Sequence, residues 1–332
     1  GLEPYPDPAG IMVNPIVPSL RGRLALLPTA LWSVPGLRRL AAKALYDALY
    51  VFYHAAFAKR IDALVREADI VHCLSTSHLA ACVSRACARR RVPLIQAPPI
   101  HFGAWGDTPG LLRAYASADV LICPTDVFRR TLEKAARGID ARVVVNPPLP
   151  PARPARTKPP DRLPAEKFVL FLGRREPHKG LSLLISAFED LSADTELVVA
   201  GPGEPLCSAQ AGCRDLGVVD EETKHWLLEH CGLLCVPSVN ESFGMVYAEA
   251  MSYGKPVTAL DIPPVNELVR NGECGLLVPP GDTGALGSAL KRLLDDPGLR
   301  RSMGNAARRR YDRYYSGERI VENLAEIYRS LL

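Results

Sequence analysis

Two acidic and two basic residues of this chain stand where side chains can do chemistry. Residues 237–253 read PSVNESFGMVYAEAMSY and follow an apolar run at 233–236, the pattern of a strand that passes through a loop into a helix. Glu241 lies in the loop, and Gly244 marks the helix start. The amides of Gly244, Met245 and Val246 then lack intrahelical partners, and such amides favour an anion, most naturally a phosphate. Glu249 falls about a turn and a half into the helix, where its carboxylate reaches back beside the bound group. Two carboxylates repel a phosphate, so they suit the neutral hydroxyls of a sugar or ribose. The stretch is a socket for a molecule that carries both.

Upstream, residues 167–180 read KFVLFLGRREPHKG, an apolar strand followed by Gly173, Arg174 and Lys179 in a glycine-bounded loop. A guanidinium and an ammonium at that spacing can neutralise a diphosphate. Alone, either pair would ordinarily be solvated surface charge; placed after strands of one parallel sheet, they share the edge where open α/β sheets bind ligands.

The elements that must position these residues alternate. A helix is expected over 37–67, from apolar positions Leu40, Ala44, Leu45 and Ala48 opposite Arg38, Arg39, Lys43 and Asp47. Strands are expected at 69–74, 92–97, 119–123 and 142–145, with helices at 77–89, near 111–116, and from Thr125 to about 138. Residues 147–165 are dense in proline and suit a spacer better than a ladder or a helix. A second array follows: strands at 168–172, 196–200, 233–236, 257–262 and 276–278, and helices at 181–191, 221–231 behind Asp220, 244 onward, 265–270 and 285–294. Ile320, Leu324, Ile327 and Leu331 mark a terminal helix. The fold class is α/β, with a first domain over 1–146, a second over 166–312 and a last helix over 313–332.

At 332 residues the chain is long enough for two such domains, and 48% hydrophobic with 23% charged residues is the composition of a globular protein. A net charge of +4 suits anionic ligands and is too mild for nucleic acid. The basic clusters 89–91 and 308–310 are expected to be solvated helix faces. The 9 cysteines show no metal or disulfide spacing and are expected to be buried thiols of a reducing compartment. No apolar run is long enough to span a bilayer and no signal peptide opens the chain, so the expectation is a cytoplasmic protein, with peripheral contact to the inner face of the membrane left open.

The loops above, with GKPV at 254–257 and GLLVPPGD at 275–282, come in an order and at separations that resemble the C-terminal half of the retaining glycosyltransferases of the glycogen-synthase-like class, group 1 or family 4 type. The resemblance covers about 69–332 and is specific over 167–282. It implies the GT-B fold: two Rossmann-like domains facing across a cleft, with the C-terminal helix crossing back to the first. It implies transfer from a nucleoside-diphosphate sugar, UDP- or GDP-linked, to a glycan, lipid-linked or small-molecule acceptor, with retention and with neither metal nor cofactor. Arg174 and Lys179 would hold the diphosphate, Glu241 the donor sugar, and Glu249 the ribose; Gly173 and the amides of Phe243 to Val246 would line the donor.

The family usually carries a histidine near the donor sugar. His101 is the candidate, about two residues later than the usual pattern, with His72 and His78 as competitors. Two further departures stand out. The segment 201–220 is short, which implies a trimmed wall around the base, and no opening strand with a glycine-rich loop is recognisable before Leu37. The latter implies a truncated or abridged acceptor domain. The competing functions are an epimerase of the same architecture and a sugar-nucleotide-binding protein without transfer.

Overall fold

The computed structural model describes residues 5–6, 12–13, 50–100, 102, 106–136, 142–145, 168–189, 191, 195–206 and 212–332. The chain divides into two compact units: Gly1–Cys123 with Phe128–Val145 and Ala325–Leu332, and Pro124–Val127 with Asn146–Leu324. The expected proline-rich spacer, 147–165, lies outside the described residues, as does the part of the first expected helix before Tyr50.

In the first unit, β1 (Tyr5–Pro6) and β2 (Met12–Val13) pair antiparallel. Helix α1 (Tyr50–Arg66) follows, and then β3 (Val71–Cys73), α2 (His78–Arg90), β4 (Leu94–Gln96), α3 (Pro109–Ala116), β5 (Val120–Cys123), α4 (Asp126–Ala135) and β6 (Arg142–Val145) alternate. Strands β3 to β6 form a parallel sheet in sequence order. Ser77 caps α2 by accepting from Leu79 N, and Thr108 caps α3 by accepting from Leu111 N, the local reason each helix starts where it does. Arg89 and Arg90 converge on Asp62 at the surface.

The second unit carries β7 (Phe168–Leu172), α5 (Leu181–Phe188), β8 (Glu196–Ala200), β9 (Cys213–Gly217), α6 (Glu221–His230), β10 (Leu233–Cys235), α7 (Met245–Ser252), β11 (Val257–Leu260), α8 (Val265–Leu268), β12 (Gly275–Val278), α9 (Thr283–Asp295), α10 (Pro297–Tyr314) and the part of α11 (Gly317–Arg329) up to Leu324. The sheet order is β12-β11-β10-β7-β8-β9, all parallel. The chain therefore starts in the middle at β7, walks outward through β8 and β9, returns to β10 and walks out the other way. That reversal leaves a crevice beyond the carboxyl ends of β7 and β10, the place where doubly wound sheets take ligands. Helices on both faces explain why β7 is buried along its whole length and reads as an unbroken apolar run.

In the second unit two elements were not expected from sequence. Strand β9 lies in the short segment after Gly201, and α10 fills 297–314 behind its Asp296 cap. The expectation of solvated arginines at 308–310 fails for two of them, because α10 packs on α7. Arg308 Nη1 donates to Ser252 O at 2.6 Å, and Arg310 Nη2 and Nε donate to Glu267 O and Leu268 O at 2.7 and 2.9 Å. Asp282 caps α9, accepting from Ala285 N at 2.8 Å. In the last helix Ile320 and Ile327 are buried, and its final turns belong to the first unit, where Tyr328 Oη meets His72 Nδ1 at 2.7 Å. The described cysteines are all free thiols, and Cys207 lies outside the described residues. No helix among the described residues is long and apolar enough to cross a membrane.

Candidate functional site

A hollow of about 490 Å³ opens beyond the carboxyl ends of β7, β8 and β10, entirely within the second unit. Gly173, Arg174 and Lys179 reach it from the loop after β7, Glu241 to Gly244 from the loop after β10, and Met245, Val246 and Glu249 from α7. The structure thus brings every predicted site residue of that unit to one place. His101 lies outside the described residues. Its competitors belong to the first unit, where His72 is held against Tyr328 and His78 is buried at the start of α2.

The loop after β7 tightens into a single 3-10 turn, Pro177–Lys179, closed by Gly180 in the left-handed region at φ 72°. A Cβ at Gly180 would collide with the Pro237 carbonyl, so glycine is required for the two loops to touch. Val239 N donates to His178 O at 2.8 Å and completes the stitch. The result sets Lys179 Nζ 2.6 Å from Glu241 Oε1, with the two side chains only 16% and 9% exposed. Arg174 differs in exposure: its side chain is 63% exposed and pairs with Glu176 at 2.6 Å. Lys179 is therefore held inside the hollow by a carboxylate, while Arg174 rides at its rim.

Helix α7 begins at Gly244, φ 91°, with no side-chain cap. A Cβ there would strike the Tyr247 ring. Tyr247 itself is fully buried and donates its hydroxyl to Val236 O at 2.7 Å, which pins the first turn of α7 to the end of β10. Burial raises the pKa of that phenol, and the nearby Glu241 adds to the rise, so it stays a donor. Phe243 turns its ring into the core against Tyr315, which leaves only its backbone for a ligand.

Glu249 is half-buried beside Lys224 of α6, whose Nζ stands 3.6 Å from Glu249 Oε1 and 2.6 Å from Glu221 Oε2. Burial pushes the Glu249 carboxyl above the usual carboxylate range, and Lys224 only partly offsets it. Lys224 was missed from sequence. A faint signal existed: a lysine near the N-terminal end of a helix opposes the helix dipole, while Asp220, Glu221 and Glu222 beside it do not.

The wall on the β8 side is held by Arg175, whose side chain is 4% exposed. Its Nη1 donates to Asp215 Oδ2 at 2.6 Å and to Glu204 O at 2.9 Å. Asp215, on β9, also accepts from Leu206 N and Gly217 N at 2.8 Å each. Burial works against the Asp215 carboxylate, but Arg175 and the two amides prevail and hold its pKa below the usual value. Nothing in the spacing of Arg175 and Asp215 announced this clasp, because the strand that carries Asp215 was not foreseen.

The hollow accordingly offers a short helix start without a cap, three cations of different freedom (Arg174, Lys179 and Lys224), and two acidic groups set back from the helix end. That set can take a diphosphate together with a polyol.

Residues 155–310 match the family model described as Glycosyl transferases group 1. The phosphatidyl-myo-inositol mannosyltransferase of Mycobacterium leprae is 41% identical over 160 residues, 44% of this chain and 43% of the relative. The protein of the same name from Mycolicibacterium smegmatis is 35% identical over 218 residues, 62% of this chain and 56% of the relative. The chain therefore spans about half the length of these curated relatives. Among solved structures, Anabaena HepE in complex with UDP superposes with a TM-score of 0.68 at 18% identity, covering 82% of each chain. At that identity the likeness shows the fold, and the fold is GT-B.

Proposed function

We propose that this chain, whose residues 155–310 match the group 1 glycosyltransferase model, moves a sugar from a nucleoside diphosphate to an acceptor hydroxyl with retention of anomeric configuration. The observation that carries the proposal is the buried pairing of Lys179 with Glu241 at the head of α7, in the same hollow as Arg174. A cation and a carboxylate held together beside free helix amides are a site prepared for exchange. The arriving diphosphate takes Lys179, lies against the amides of Gly244 to Val246, and draws in Arg174 from the rim. Glu241, released, accepts hydroxyls of the donor sugar, and Glu249 accepts those of the ribose.

In the transfer the acceptor oxygen bonds to the anomeric carbon on the side from which the diphosphate leaves. The bond from that carbon to the diphosphate oxygen breaks, and the departing phosphate oxygen takes the acceptor proton. Charge grows on the diphosphate, where the two cations and the helix amides stabilise it, the electrostatic effect that usually supplies the largest share of rate enhancement. The two basic side chains carry out what a divalent ion does elsewhere, so the proposal includes no metal.

Two relatives named as mannosyltransferases of phosphatidyl-myo-inositol make a hexose donor and a lipid-linked acceptor the first pair to try, and the UDP held by HepE makes UDP-sugars the second. The test is nucleoside diphosphate release from a panel of UDP- and GDP-sugars, with and without glycan, lipid-linked and small-molecule acceptors. Acceptor-dependent release is the expected result. Donor binding with no release from any sugar would overturn transfer and leave a sugar-nucleotide-binding protein.

A further inference from the structure

A second polar hollow, of about 280 Å³, lies in the same unit at the opposite edge of the sheet. Its floor is made by Cys231–Gly232, which lead into β10, and by Gly254, Lys255 and Pro256, which lead into β11; one wall is the first turns of α10. It therefore sits at the amino ends of the strands, whereas the hollow described above sits at their carboxyl ends. Helix α7 separates the two: Met245 borders one and Gly254, two residues past the helix, borders the other, about 12 Å of helix apart.

The lining is cationic. Lys255, Arg300 and Arg301 face it with His230 and Asn305, against the single carboxylate of Glu229, which has an interaction of its own. Among the described residues no ion pair engages Lys255 or Arg301. Arg300 is held in place by neutral groups, donating from Nη1 to Leu293 O at 2.8 Å and Leu294 O at 3.1 Å, so its charge is positioned and uncancelled. Lys255 and Arg300 are half-buried, and three like charges gathered in a recess repel one another at a cost that an anion removes. A fold that needed only to terminate two loops here would gain nothing by collecting them.

We propose that this hollow binds a small phosphate-bearing anion, at a site distinct from the donor hollow. Its volume lies just under the roughly 300–1,000 Å³ of pockets that hold drug-sized ligands. It admits a sugar phosphate or a pyrophosphate and is too small for a whole nucleotide sugar.

The experiment is calorimetric titration of the full chain with inorganic pyrophosphate, and separately with a hexose phosphate. It compares wild type, the double variant Lys255→Gln with Arg301→Gln, and the single variant Lys179→Gln. Arg300 is left alone because its carbonyl bonds hold α9 to α10. Pyrophosphate binding that survives Lys179→Gln and weakens at least tenfold in the double variant, with UDP and GDP binding by the double variant unchanged, is the expected result. Pyrophosphate binding that vanishes in Lys179→Gln and is unaltered in the double variant would overturn the proposal, because the donor hollow would then account for all of it. A third arm uses vesicles of neutral and anionic phospholipid. Sedimentation with them that depends on Lys255 and Arg301, in the absence of soluble phosphate binding, would also overturn it in favour of a lipid surface.

Discussion

At the scale of single residues, the decisive contact is the ion pair of Lys179 with Glu241. Both side chains are largely buried, so each charge depends on the other until a ligand arrives. Glu241→Gln keeps the shape of the site and removes the acceptor that strengthens as charge redistributes. It is expected to lower transfer by about 10²-fold or more, with a circular dichroism spectrum like that of wild type; near-normal rates would remove Glu241 from the chemistry. Glu249 carries a different prediction. Its folded-state pKa is raised, so the stability tied to its protonated form is complete below the unfolded value and is lost as pH rises through the folded one. At neutral pH the ionised carboxyl is a standing cost. Glu249→Gln should therefore melt at or above wild type at pH 7 while donor binding weakens roughly 10- to 100-fold, the worth of a charged hydrogen bond. Titration calorimetry should also show wild-type donor affinity falling as acid protonates Glu249, a limb absent from the variant.

At the scale of elements, the site depends on how two loops meet. Gly180 and Gly244 both adopt left-handed backbone, and each has no room for a Cβ. Gly180→Ala is expected to cost at least about 1–2 kcal/mol from backbone strain alone, lowering the melting temperature by about 4 °C or more, and to weaken donor binding as Lys179 shifts. Differential scanning fluorimetry with and without nucleoside diphosphate reads both effects. The clasp of Arg175 on Asp215 acts on the neighbouring wall. Because the Asp215 pKa is depressed, its contribution to stability is present above the ordinary carboxylate value and is lost as pH falls through the folded one. Asp215→Asn should therefore be less stable than wild type at pH 7, with the gap closing in acid, as urea melts at stepped pH would show. Donor affinity should drop about tenfold with the turnover number little changed, because residues 201–206 lose their anchor.

At the scale of the whole molecule, each unit has its own hydrophobic core. One runs from Phe168 through Ala307, and the other from Ile61 through Leu132. Every described residue assigned to the donor hollow belongs to the second unit. A fragment spanning 155–324 should therefore fold and bind nucleoside diphosphate within about tenfold of the full chain while performing no transfer to an acceptor. Binding lost in a folded fragment would show that the donor site needs residues outside that unit.

Much of this was legible in the amino-acid order because the signals are local. Apolar runs such as FVLFL bounded by glycine give strands, Asp220 and Asp282 announce helices, and the succession of loops around Arg174, Lys179, Glu241 and Glu249 points to phosphate and sugar hydroxyls. What local signals cannot carry is who stands beside whom. Strand β9 is short, half-buried and built from CRDLG, a composition that no strand pattern selects; only pairing with β8 makes it a strand. Arg308 and Arg310 look like surface charge until α10 lays them on the carbonyl ends of its neighbours. Lys179 meets Glu241 because β7 and β10, the first and fourth strands of this sheet in chain order, lie side by side although many residues separate them, and Lys224 meets Glu249 because α6 packs against α7. Residue types and their order determined which chemistry is present; strand order decided which charges are neighbours, since electrostatic partners are chosen by distance in space and not along the backbone.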